Sequence, residues 1–212
     1  MHHAPADFVN AISMHRQAMS IPIRQLSSAE RPALDRHFIA LSPEDRRLRF
    51  GAPSSDFALH AYVERIDFAR DATFGVVDDE LQLLGAAHLA RSQDHAELGV
   101  SVLPGQRGRG IGGALLARAH THARNWGVPA LFMHCLSENG AMMHLARKQG
   151  MTIVSRSGEA EAWLKLPPAD AASQNGEASA QRVALFDYGL KSQAVIARRF
   201  GAALTPGAAS AA

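Results

Sequence analysis

The amino-acid sequence predicts a mixed fold of class α/β (α+β), a central mixed sheet of about six to seven strands flanked by helices. Three observations carry this. Apolar, β-prone runs bounded by turn residues recur at 73–77, 81–91, 96–103 and 130–136. Helical periodicity recurs between and around them. At 100–118, one strand-like run stops at Pro104, crosses a turn dense in glycine and arginine, and opens directly into a helical pattern.

Element by element, Ile21 to Leu26 alternates like a first strand. Ser27-Ser28-Ala29-Glu30 reads as a capping box, with Leu34, Phe38 and Leu41 following at helical spacing. Ser42-Pro43-Glu44-Asp45 starts a second helix, with Pro in the first turn and acids where the helix dipole favours them. Phe57 to Ile66 reads as a third. Asp78-Asp79 and Ser92-Gln93-Asp94-His95 supply the turns between the next three strands. The helix after the glycine turn runs from about Gly110 to Trp126, with Ile111, Ala114, Leu115, Ala119, Ala123 and Trp126 on one stripe. Gly127-Val128-Pro129 ends it. Ala130–Leu136 is a buried-type strand, 139–149 a short helix closed by Gly150, and 152–166 a strand or a hairpin turning at Ser157-Gly158.

Composition divides the chain into a 1–19 extension, a domain at 20–166, a flexible linker at 167–181 rich in Ala, Ser, Gln, Asn and Gly, a weakly amphipathic helix at 182–200 and a disordered tail at 201–212. The formal net charge is only +2, and no basic patch interleaved with aromatics appears, so nucleic acid is not an expected partner. No apolar run approaches membrane-spanning length, and a single cysteine, Cys135, suits a reducing compartment; both point to a cytoplasmic protein off the membrane.

The glycine turn is the chemically informative stretch. Glycines let backbone approach a ligand closely, N–H groups at a helix start converge on an anion, and arginines add forked donors suited to phosphate. Gly108, Gly110 and Gly113 satisfy the spacing of a dinucleotide-binding turn. That reading needs an acidic residue about 20 positions on for a ribose hydroxyl. Between Glu97 and Glu138 there is none. The bland alternative, a solvated surface turn, does not account for so many glycines feeding one helix.

Read as Arg107-x-x-Gly110-x-Gly112, the same letters resemble the pyrophosphate loop of the GNAT superfamily of N-acetyltransferases. The element order over roughly 20–166 resembles that family too. Leu41 to Phe50, Ala96 to Val100 and Glu138 to Gly150 are similar in motif to bacterial protein-lysine acetyltransferase domains. The resemblance implies acetyl-CoA as acyl donor, with no metal, and a splayed strand along which the pantetheine lies. Backbone groups near Val100 and Val102 would bond the pantetheine. Main-chain amides across Arg107, Gly108, Arg109, Gly110, Ile111, Gly112 and Gly113 would hold the pyrophosphate, and Asn139 would contact the cofactor or simply cap its helix.

Transfer to an amine needs a neutral nucleophile, and a free lysine is protonated at neutral pH. Glu97 matches the general-base position of the resembling domains; the bland reading is an exposed strand carboxylate near a hairpin. The tyrosine that protonates the leaving thiolate in many members is replaced here by Ala146, and neither Tyr62 nor Tyr188 is expected nearby. Cys135 reads as a small core residue, and His120, His122, His134 and His144 lack ligand spacing, so no metal site is expected. The expectation is an acyl-CoA-dependent N-acetyltransferase acting on a primary amine, either a protein lysine or a small molecule. The alternative is an acyl-CoA-binding sensor without turnover. The tail helix would dock on the domain, build a homodimer or mask the acceptor cleft.

Overall fold

The computed structural model describes residues 21–204; the expected 1–19 extension and the last eight residues lie outside the described part. The seven strands are β1 (Arg24–Leu26), β2 (Ala72–Val77), β3 (Leu83–Arg91), β4 (Ala96–Val102), β5 (Ala130–Leu136), β6 (Thr152–Arg156) and β7 (Glu159–Lys165). They form one sheet in the order β1-β2-β3-β4-β5-β7-β6. Every neighbouring pair is antiparallel except β4 and β5. Those two are parallel and pair only at Ala96↔Leu131 and Glu97↔Phe132. Beyond Glu97 the strands part.

Six helices cover the sheet. One face carries α1 (Arg31–Ile39), α2 (Pro43–Phe50) and α3 (Asp56–Glu64). Their apolar sides bury Leu34, Phe38, Leu59 and Val63 against Leu26, Leu83 and Ala86. The other face carries α4 (Ile111–Asn125) and α5 (Gly140–Lys148) over Phe74, Leu89, Leu98 and Leu131. Start signals in the chain explain the helix boundaries. Ser27 and Glu30 close a capping box ahead of α1, and Ser42 accepts the Asp45 amide at the start of α2 with Pro43 in the first turn. Residues 152–166 form a hairpin, and the positive φ of Ser157 and Gly158 suits the twist of a two-residue connection.

The expected linker is a correction. From Ala171 the chain forms α6 (Ala171–Leu204), one helix of 34 residues through the 167–181 stretch and past residue 200. Asp170 accepts the Ser173 amide and its own amide bonds Ser173 Oγ, a reciprocal cap that flexible composition conceals. Alanine, abundant there, is the best helix former. The helix is also pinned sideways: Arg118, His122 and Asn125 of α4 all donate to the Glu177 carboxylate. Burial alone would push that carboxyl up, but the three donors outweigh it and bring it down to about 2.

Candidate active site

The parting of β4 and β5 opens a cleft of about 700 Å³. Leu103 donates its amide to Leu84 on β3, so alternate residues Ser101 and Gly99 turn their amides the same way. The amides of Val100 and Val102 therefore face the opening, while that of Leu98 faces β5 where Glu97 is still paired with Phe132. Val100 and Val102 line it, and the Val102 carbonyl accepts Arg107 Nε at 3.4 Å. Apart from that carbonyl, the strand edge is unpaired along one wall, in the place expected for a pantetheine.

The glycine turn closes one end. Gly110 sits at φ +83, a left-handed conformation that costs glycine little, and serves as the N-cap of α4 with no side-chain cap. The first bond into the helix is Ala114 N–H to Gly110 C=O, so the amides of Ile111, Gly112 and Gly113 have no intrahelical partner. An uncapped helix start with orphan donors and a positive dipole end fits a pyrophosphate. Arg107, Gly108, Gly110, Ile111, Gly112 and Gly113 line the cleft. Arg109 is not among the lining residues; its guanidinium bonds Gln106, which is. A Cβ on Gly112 would press to 3.3 Å from Leu145, so glycine there also lets α4 approach α5 closely.

Asn139 lines the opposite wall and caps α5 by accepting the Met142 amide at 3.1 Å. Its Nδ2 donates to the Leu48 carbonyl of α2 at 3.2 Å. Helix α2 thus bridges the opening: Arg47 reaches Glu138 at 2.6 Å on one side, and Asp45 reaches Arg107 at 2.5 Å on the other. Burial raises the Asp45 pKa, but hydrogen bonds from Arg107 and Ser42 outweigh it and hold the group below the usual carboxylate range.

Glu97 lies outside the cleft lining, at the apex where β4 and β5 are still paired. It is exposed and has no side-chain partner among the described residues. Val100 is about 10 Å further along the strand at ordinary strand rise. Beside Glu97 in register stand Phe132 and then Trp163, their rings 4.3 Å apart, with His95 edge-on to both. On the same face of β4, Gly99 is covered by the Arg49 guanidinium, which a Cβ at that position would overlap.

Arg49 lines the cleft and is held by a chain of defined polarity. The anionic Asp71 accepts His88 Nε2–H at 3.2 Å, so His88 Nδ1 accepts the Tyr62 hydroxyl at 2.6 Å. The Tyr62 oxygen in turn accepts Arg49 Nη2 at 3.1 Å. Burial and the Arg49 charge hold the His88 pKa down against Asp71, which keeps the ring neutral as this polarity requires. Tyr62, not expected near the Ala146 position, is one hydrogen bond behind the cleft wall.

A second fixed pair stands one register step on. His37 Nδ1 donates to the Leu83 carbonyl at 3.0 Å, so its Nε2 accepts the Ser101 hydroxyl at 2.8 Å. Burial drives the His37 pKa to about 4, against the Leu83 hydrogen bond and with help from the Arg49 charge. A ring that weakly basic neither activates Ser101 as a nucleophile nor protonates a thiolate near neutrality. Ser101, Arg49, Asp45 and His37 were not singled out from sequence. Asp45 and Arg49 lie within the Leu41–Phe50 motif already noted, and Ser101 lies in the 96–103 run, two residues from Gly99 on the Glu97 face. Among the described residues no cluster of His, Cys, Asp or Glu is placed to hold a metal, and no helix is long and apolar enough to cross a membrane.

The fold and this site define an acyl-CoA-dependent acetyltransferase. The model of the acetyltransferase (GNAT) family matches residues 38–151, just over half of the chain, and the chain belongs to that family. Solved structures are similar over most of their own length. The GNAT domain of S. lividans PAT superposes with a TM-score of 0.60 at 21% identity, over 68% of this chain and 89% of that one. YncA, a putative acetyltransferase from Salmonella typhimurium determined with acetyl-CoA, gives 0.54 at 19% identity, over 70% and 95%. A ribosomal-protein-alanine N-acetyltransferase from Brucella melitensis gives 0.52 at 22% identity, over 68% and 99%. A comparison with curated proteins finds no significant match.

Proposed function

We propose that the protein transfers the acetyl group of acetyl-CoA to a primary amine on a long alkyl stem, such as a protein lysine or a linear small-molecule amine. The observation that carries this reading is the opened β4–β5 wedge ending at an uncapped glycine turn. Free strand amides line its side, and orphan helix-start amides close its end. The Val100 amide is the donor available to a carbonyl oxygen that becomes anionic as nitrogen attacks. The C–N bond forms as the C–S bond breaks, and the thiolate leaves to be protonated by solvent.

Glu97 takes the amine proton through water, since its carboxylate is exposed and stands beyond direct reach of the cleft. Arg49 lies between that carboxylate and the cleft, and its fixed positive charge disfavours an ammonium there, aiding proton loss. Phe132, Trp163 and His95 form an aromatic rim beside Glu97 suited to the methylenes of a lysine stem.

The test is turnover of acetyl-CoA with lysine-bearing peptides, diamines and short amines, read as thiol release. Long-stem amines are expected to be preferred, and Trp163→Ala to erase the preference by raising their KM. Equal rates for ethylamine and a lysine peptide would remove the acceptor assignment. Tight acetyl-CoA binding without turnover of any amine would remove catalysis.

A further inference from the structure

Helix α6 carries two stripes on opposite sides. One docks on the domain through Glu177, Gln181, Ala184, Tyr188, Lys191 and Val195, spaced alternately by four, three, four, three and four. Glu177 meets Arg118, and Gln181 accepts the Gln25 amide. Arg24 stacks 4.0 Å from the Tyr188 ring, and Lys191 donates to the Val77 carbonyl at 3.1 Å. Ala184 and Val195 are buried.

The other stripe is Val183, Phe186, Leu190, Gln193, Ala197 and Phe200, spaced three, four, three, four, three. That is the a/d pattern of a coiled-coil seam. The docking residues then fall at b and f, roughly 150° around the helix at 100° per residue. Nothing on the domain covers the seam: Phe186 is 70% exposed, Phe200 69%, Leu190 53% and Val183 52%. Four large apolar side chains aligned over about 26 Å of helix exceed the scatter of single exposed apolar groups on a monomer.

We infer that this stripe is the interface with a second copy of the same chain, packed as a parallel two-helix seam. Charge supports the pairing and its direction. Arg182 falls at a g position and Asp187 at the following e position, the pair that faces across a parallel seam. Arg182 has no carboxylate partner among the described residues, and Asp187, bound to Lys191 at 2.8 Å within its own helix, keeps an oxygen to share. In an antiparallel seam g positions face one another, and the other g residues are Gly189 and Ile196, so Arg182 would meet no carboxylate there. A seam this short is marginal between free helices. Here each helix is held straight by its domain before the copies meet, which removes the ordering cost.

Sedimentation velocity on the full chain, from about 1 to 100 µM to bracket micromolar pairing, is expected to show a monomer–dimer equilibrium. Phe186→Asp/Leu190→Asp is expected to be monomeric throughout while keeping the thermal stabilisation given by coenzyme A. Should that pair lose the stabilisation, Phe186→Asp alone is read in its place. Leu190→Cys, oxidised, is expected to run as a disulfide dimer, because opposing a positions in a parallel seam lie within disulfide reach. The buried Cys135 stays out of the reaction. A chain monomeric at every concentration, or a dimer that survives the aspartates, overturns the inference. A dimer broken by the aspartates but not cross-linked through Leu190→Cys overturns the parallel arrangement.

Discussion

Arg107 Nη2 lies 2.5 Å from Asp45 Oδ1, so the arginine that begins the glycine turn is already paired to helix α2. A pyrophosphate entering the turn competes with that carboxylate. Asp45→Asn is therefore expected to tighten coenzyme A by about threefold, a modest gain for removing one competing charge from a half-exposed ion pair. Arg107→Ala is expected to weaken it by about tenfold or more, the scale of one charge-assisted hydrogen bond. Titration calorimetry at low salt measures both. If Asp45→Asn weakens binding instead, the carboxylate orients Arg107 and does not compete with the ligand.

Glycine at two positions does different work, and substitution separates them. Gly110→Val forces a β-branched residue to φ +83 at the helix start and is expected to abolish thermal stabilisation by coenzyme A. Gly99→Ala puts a methyl group where the Arg49 guanidinium lies. It is expected to leave coenzyme A binding within about twofold but to lower kcat with the amine by about tenfold, the size of one misplaced electrostatic contact. Unchanged kcat in Gly99→Ala would remove Arg49 from the reaction.

Glu97→Gln is expected to lower kcat by about a hundredfold, the lower range for a lost general base, with coenzyme A binding unchanged. Turnover equal to the parent across pH would return Glu97 to an exposed strand carboxylate with no part in catalysis.

Acid stability is expected to fall in two steps. His37 has its folded pKa depressed to about 4, so the unfolded chain binds the extra proton first. Its contribution is complete above about 6.5, the value of a free histidine, and declines as pH falls towards 4. Glu177 is depressed to about 2 in the folded chain, so its contribution is complete above the free carboxylate value of 4.5 and declines as pH falls towards 2. Thermal melts of Glu177→Gln should run below the parent at neutral pH and converge with it in the lower window. His37→Gln should flatten the upper one. Parallel melting curves at all pH values would contradict both.

Much of the frame was legible because local signals agree with packing. Capping at Ser27 and Ser42, the alternation in β2 to β4 and the glycine turn before α4 each name their element without help from distant contacts. The uncapped helix start with its unpaired amides was legible for the same reason: its donors are consecutive residues. What was not legible is set by partners far apart in the chain. Arg49 reaches Gly99, Tyr62 reaches His88, and His37 reaches Ser101 only once α1 to α3 fold over the sheet. Leu116 faces the core although the helical stripe omitted it, because α4 is covered on two sides. The start of α6 hid behind a linker-like composition, since its anchor, Glu177, finds its partners more than fifty residues back.

Strand β1 is three residues long and forms one border of the sheet. Its outward amide at Gln25 is taken by Gln181, and Lys191 takes the nearby Val77 carbonyl. Helix α6 is therefore a guard on a border that would otherwise recruit strands from other molecules. A chain cut at Pro168 keeps every cleft residue, yet it bares that border together with the buried side of Arg118. The shortest chain with the complete cleft is thus expected to be the one that precipitates, and solubility rather than catalysis sets where this protein can be shortened.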